Sequence, residues 1–216
     1  RFESRGLGDV YKRQADALGR AETSVEEARR SVKQSDGLDT SDMEKRLEQA
    51  AEALASGNAS QAIGLADGVV RTLERERAAM DDVLRALKQK KKLTKRFEHR
   101  DDRADWETML ADIVKAADDK TWSHAGMLLE QMTAALDREG HAVEEAQELY
   151  DFVTEQWAVL RNQCEAANIK ATDEDRRACE EAVALAGEHL EVARLEPALE
   201  ALGVADGAME RLRRRI

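Results

Sequence analysis

The chain is poor in the residues that build sheets, disulfide frameworks and membrane spans. Of its 216 residues one is proline, and aromatic side chains make up 4%. A sheet-forming domain draws on β-branched and aromatic residues and is punctuated by Pro and Gly at roughly ten-residue intervals. That pattern is missing here, which excludes a β-rich fold. Two cysteines, Cys164 and Cys179, are too few for a disulfide scaffold in a chain of this length. No run approaches the roughly eighteen apolar residues of a transmembrane helix. The mean hydropathy of -0.64, with few large apolar residues, favours thin seams of core over one thick core. The expected location is the cytoplasm.

The motifs that announce catalysis or a cofactor are missing as well. Di-iron bundles place Glu and His three residues apart so that both ligands face one side of a helix. The residues three before His99, His124, His141 and His189 are Arg96, Thr121, Arg138 and Ala186, none of them a carboxylate. No His-Glu-x-x-His zinc motif and no Gly-x-x-x-x-Gly-Lys phosphate loop occurs. No Gly-x-Ser-x-Gly elbow offers a hydrolase nucleophile a platform. The expectation is a protein without catalytic residues, metal ligands, cofactor or small-molecule substrate.

Charge and helix-forming residues are what the chain has in plenty. Charged residues make up 37% of it, with Ala, Glu, Leu and Arg prominent, the composition of long helices and coiled-coil-like bundles. The formal net charge is -11, which works against generic attraction to nucleic acid or anionic membrane.

Self-similarity organises the rest. A shift of 63 residues lays Ala62, Leu65, Leu73, Arg75, Glu76 and Ala79 on Ala125, Leu128, Leu136, Arg138, Glu139 and Ala142. A shift of 131 lays Leu38, Asp42, Ala51 and Leu54 on Ile169, Asp173, Ala182 and Leu185. Each unit reads as a short helix followed by a long one. Ser41 with Glu44 has capping-box spacing, and Thr172 with Asp175 is a weaker version. Helices are expected near 15–35, 41–56, 59–98, 103–118, 121–167, 173–188 and 191–215. Pro197 suits a first helical turn and moves the last start toward 196.

The long helices carry heptads. In the first, positions 66, 69, 73, 80, 83 and 87 are apolar, with Glu76 interrupting. In the second the seam runs from Leu129 through Met132, Leu136, Val143, Tyr150, Val153, Trp157 and Leu160 to Cys164, with Glu139 interrupting at the same repeat position. A sustained 3.5-residue average favours left-handed knobs-into-holes packing. Cys164 and Cys179 lie symmetrically about the turn near 171–172 and are expected to be reduced core residues. A disulfide needs Cα atoms within about 7 Å, closer than many helix pairs approach.

This plan resembles the spectrin repeat, in which a helix leaving one three-helix bundle continues into the next. It is similar, over residues 15–216, to the Ala/Glu-rich helical-hairpin proteins common in prokaryotic genomes. The resemblance implies an all-α, elongated array of antiparallel hairpins with long shared helices. The expected units are 15–98, 99–167 and an incomplete 168–216. Residues 1–14 stand apart: the run GLGDVYKRQ resembles translated sequencing-adapter read-through. The alternative is a disordered tail. Read-through would make the chain a fragment of a metagenomic gene product.

One segment breaks the acidic pattern. From Arg85 to Arg100 there are eight basic residues and one acid, Glu98. On a continuous helix, Lys88, Lys91, Lys92, Lys95 and Arg96 share one face, with Lys90 where the seam calls for an aliphatic residue. Three readings compete: a solvated helix end favoured by the helix dipole, a contact for an acidic partner or a second copy, and a site for nucleic acid or anionic lipid. The leading functional expectation is a scaffolding helical module that binds protein partners or itself. A coiled-coil protein attached to nucleic acid or membrane through this segment is the alternative.

Overall fold

A computed structural model of the chain describes residues 3–216, with side chains from Gly8 onward. The fold is all-α. Among the described residues there are eight helices: α1 (Glu3–Lys33), α2 (Ser41–Ala55), α3 (Ala59–Lys88), α4 (Lys90–Lys95), α5 (Arg103–Asp118), α6 (Trp122–Ala166), α7 (Glu174–Glu191) and α8 (Leu195–Arg213). They form two compact units, one comprising the residues up to Lys88 together with Ala111–Leu129, the other Gln89–Leu110 with Glu130–Ile216.

In the first unit α1, α2 and α3 pack on one another. Their buried residues recur at helical spacing: Ala21, Val25, Ala28 and Val32 on α1, Met43, Leu47 and Ala50 on α2, and Ala62, Ala66, Val69 and Leu73 on α3. Alanine on the facing sides lets the helices approach closely, while a fully buried side chain such as Leu73 contributes about 1.5–3 kcal/mol. The farther half of α3 meets the start of α6. Glu76 accepts from the backbone amide and hydroxyl of Ser123, and the Gly126 Cα lies open to the Ala79 methyl. Trp122 donates its indole N–H to the Gly37 carbonyl at 2.8 Å.

In the second unit the later part of α6 packs with α7 and α8 around Val153, Trp157, Leu160, Cys164, Cys179, Leu202, Met209 and Leu212. The heptad positions expected to line the seam are buried or half-buried along both long helices. Tyr150 and Trp157 both join this core. Cys164 and Cys179 are buried free thiols in one cluster. Burial, as the first cause, raises both thiols, that of Cys179 to about 12.

Four of the turns share one geometry. Gly57, Lys120, Asn168 and Ala193 all have positive φ, between 57° and 74°. Each lies just beyond a helix end, where two backbone bonds close a Schellman motif. For α2 these are Asn58 N–H to the Ala53 carbonyl and Gly57 N–H to the Leu54 carbonyl. For α5 they are Thr121 to Ala116 and Lys120 to Ala117, for α6 Ile169 to Cys164 and Asn168 to Glu165, and for α7 Arg194 to His189 and Ala193 to Leu190.

Several boundaries differ from expectation. Helix α1 runs back to Glu3, although Gly8–Asp16 are exposed and the first buried residue is Ala21; residues 1 and 2 lie outside the described ones. The helix expected over 59–98 breaks at Gln89 (φ -101°, ψ 19°). There Lys88 and Lys92, and Lys91 and Lys95, would repel at i,i+4 spacing, and no aliphatic seam holds the turn. The α2 cap lies one residue earlier than Ser41: Thr40 is the N-cap and Asp39 takes the Ser41 amide. The α7 cap is Asp173, which accepts from the amides of Asp175 and Arg176.

Candidate interaction surface

The basic residues singled out from the sequence do not form one helical face. Lys88 ends α3, Lys90, Lys91, Lys92 and Lys95 belong to the six-residue α4, and Arg96 is its C-cap. All six are exposed. Arg96 reaches the Asp137 carboxylate of α6 at 2.5 Å, while the five lysines have no carboxylate within ion-pair distance among the described residues. The segment is therefore a short lysine-rich knuckle with its last cation already committed.

Immediately after the knuckle, the chain forms a structural clamp inside the second unit. Phe97 is buried and stacks on Trp106 at 6.3 Å, and the Arg100 guanidinium lies over the Trp106 ring at 5.5 Å. Arg100 donates to Asp102 at 2.8 and 2.9 Å and also to Glu139. The hydrogen bond from Arg100 is the first cause holding the Asp102 carboxyl below its usual range. Asp101 accepts from Arg194 at 2.8 Å, and its amide donates to the Val192 carbonyl. The two seam acids thus find partners other than their neighbours Arg75 and Arg138: Ser123 for Glu76, and Arg100 for Glu139.

The C-terminal arginines are occupied in the same manner. Arg215 pairs with Asp173 and Asp175, and Arg211 with Asp175, so two cations hold the acidic start of α7. Arg213 donates to Gln156 of α6 at 3.2 Å. Arg176, buried, donates to the Ile169 carbonyl at 2.8 Å and staples the turn between α6 and α7.

The chemistry-bearing residues are scattered. The described residues hold no group of three or more His, Cys, Asp or Glu set to bind a metal ion, and no helix among them is long and apolar enough to cross a membrane. A cleft of about 350 Å³ in the first unit is lined by Asp39, Asp42, Arg46, Lys120 and His124, with Glu76 at its wall. Its acids and cations are interleaved and mostly exposed, and Ser123 donates to Glu76 there, not to a histidine.

The most unusual surface is one the heptad reading passed over. On α6, Leu149, Phe152 and Val159 are 43%, 59% and 57% exposed. Their spacing of three and seven makes a second apolar line on that helix, beside the buried one. Gln156 sits in the same line and accepts from Arg213 of α8, so the line borders α8. Two heptads before Arg213, on the same flank of α8, stands Leu199, itself 46% exposed. In a three-helix bundle the outer flank of a helix stays uncovered, and Leu149, Phe152 and Val159 lie on such a flank of α6, with Leu199 on α8 about two turns before the level of Leu149. The signal was available in the sequence, since 149, 152, 156 and 159 keep the heptad spacing, one position before the core line at 150, 153, 157 and 160. No protein-family model matches the chain, and no curated protein or solved structure does either.

Proposed function

We propose that this chain is a non-catalytic, scaffolding helical-repeat module that works by binding other proteins through its helical surface. One observation carries the reading: the aligned exposed side chains of Leu149, Phe152 and Val159 on α6. Scattered surface leucines are ordinary, but aligned large apolar groups on a rigid helix fit an interface. An exposed phenylalanine on a well-packed helix is the kind of anchor that dominates helix-in-groove recognition. The repeat reading is supported by Gly57 and Lys120, which share positive φ and superpose under the same 63-residue shift that aligns the apolar positions.

The test uses a panel of synthetic amphipathic helical peptides, with basic, acidic or neutral flanks, titrated into the purified chain by calorimetry. Binding of any member that Phe152→Asp abolishes supports the reading. Failure of the whole panel to bind refutes it.

A second reading rests on the five exposed lysines without carboxylate partners, Lys88, Lys90, Lys91, Lys92 and Lys95. They would hold phosphate groups of nucleic acid or anionic lipid. Such binding must fall steeply with salt and vanish when Lys90, Lys91 and Lys92 are changed to Glu. No binding at low salt sinks it.

A further inference from the structure

The exposed apolar line of α6, Leu149, Phe152 and Val159, is bordered by acids. Beside it stand Glu148 and Glu155, each one residue before a member of the line, and both are exposed. Neither has a cation within ion-pair distance among the described residues. On α8, Asp206 is exposed and lies in line with Leu199 and Arg213, seven residues from each. Arg213 is turned onto Gln156, and Arg214 pairs with Glu210. The apolar line of α6 thus has an acidic rim on its outer side.

We infer that this flank of α6 receives a basic amphipathic helix from a partner protein, its apolar residues seated on Phe152 and Val159 and its lysines or arginines facing Glu148 and Glu155. The inference deepens the interaction reading and rests on it. Charge decides between occupants. A second copy docking by the same face would set acid against acid at the rim, which is repulsive at close quarters. The chain's own basic helix is no substitute. Leu149 to Val159 covers about 15 Å of helix axis, whereas the six residues of α4 span about 9 Å. A helix of three turns or more, basic on its flanks and apolar along one seam, fits both length and charge. Such a fourth helix would complete an antiparallel or parallel four-helix bundle of ordinary geometry.

The experiment uses the full chain and two synthetic helical peptides of about five turns with an identical leucine seam, one flanked by lysine and one by glutamate. Fluorescence anisotropy reads their affinities at low and at physiological salt. The lysine-flanked peptide is expected to bind at least about tenfold more tightly, a difference of about 1.4 kcal/mol. Phe152→Asp, at an exposed position, is expected to lower that affinity by tenfold or more. The pair Glu148→Lys with Glu155→Lys should reverse the preference, so that the glutamate-flanked peptide becomes the better ligand. A lysine-flanked peptide that binds Phe152→Asp as well as the unaltered chain is responding to net charge alone, and that overturns the inference. Equal affinity for both peptides, lost in Phe152→Asp, overturns the basic-partner chemistry and leaves the interaction reading standing. A mass that doubles with concentration, and stays single in Phe152→Asp, makes a second copy the occupant and likewise overturns it. Binding of neither peptide refutes this inference. Failure of the wider panel, neutral peptides included, would be needed to refute the broader reading as well.

Discussion

Ala193 occupies a backbone conformation that glycine fills more easily, and Ala193→Gly is expected to stabilise the protein. Its φ is 57°, at the position following the α7 cap, where the Ala193 and Arg194 amides close the Schellman bonds. A Cβ in the left-handed region costs about 1–2 kcal/mol. Glycine gives back part of that gain, about 0.5–1 kcal/mol, through the greater entropy of its unfolded chain. The net is about 0.5–1 kcal/mol of added stability, a rise in melting temperature of about 1–4 °C for a chain of this size. The matching loss comes from Gly57→Ala. Gly57 has φ 74°, and a Cβ built there meets nothing within 4 Å, so its cost is purely conformational, about 1 kcal/mol. Urea unfolding followed by circular dichroism reads both, as midpoint shifts of opposite sign at constant m-value. An Ala193→Gly variant that unfolds at lower urea, or a Gly57→Ala variant indistinguishable from the parent, would refute the turn geometry on which the estimate rests.

Acid should destabilise the protein through Asp102 and Asp173, both held below their usual range first by a hydrogen bond from Arg100 and Arg215 respectively. A depressed native pKa gives stability that is fully present above the unfolded value of about 4 and is lost as pH falls through the native one. Melting temperatures should therefore drop below about pH 4, and less so in Asp173→Asn, which keeps a capping side chain without the charge. The two thiols, buried and shifted upward, should resist a thiol reagent near neutral pH in the native chain and react stoichiometrically once it is unfolded without reductant. A Cβ placed on Gly187 would lie 3.0 Å from the Tyr150 hydroxyl, so Gly187→Ala should stabilise more in a Tyr150→Phe background than alone. Equal effects in the two backgrounds, read by urea midpoints, would show that the hydroxyl moves aside freely.

The helices were legible because a buried seam leaves its period in the sequence. Leu73, Val83, Met132, Leu136, Val153, Trp157 and Leu160 are there because water is excluded at each, and their spacing can only be that of a helix. The hairpin turns were legible in place but not in chemistry. Gly57 announces positive φ, whereas Lys120, Asn168 and Ala193 hold the same conformation because the Schellman bonds and the packing of both flanking helices impose it. Tertiary context overrides the residue's own preference there. The break at Gln89 escaped the heptad count because i,i+4 repulsion among lysines does not disturb apolar spacing. Cap residues shifted by one, from Ser41 to Thr40 and from Thr172 to Asp173, because adjacent Asp, Thr and Ser compete for the same amides.

The surface followed a different logic. A lysine cluster catches the eye in an acidic chain, yet nothing in its spacing says which cations are already engaged. Arg96, Arg211 and Arg215 look as free in the sequence as Lys90 to Lys92, and only the fold brings Asp137, Asp173 and Asp175 to them. The converse error hid Leu149, Phe152 and Val159. In a helix carrying one apolar line, a second line one position away reads as a broadening of the same seam, since a core-facing stripe is about 100° wide. What separates the lines is where the neighbouring helices stop. Tyr150 reaches α7, where its hydroxyl lies close to Gly187, while Gln156 reaches α8. The two partners therefore cover the helix from one side as far as Gln156, and Phe152 falls outside. Whether a residue is core or surface is thus fixed by the number of helices in the bundle, a property of the assembled fold that no local period encodes.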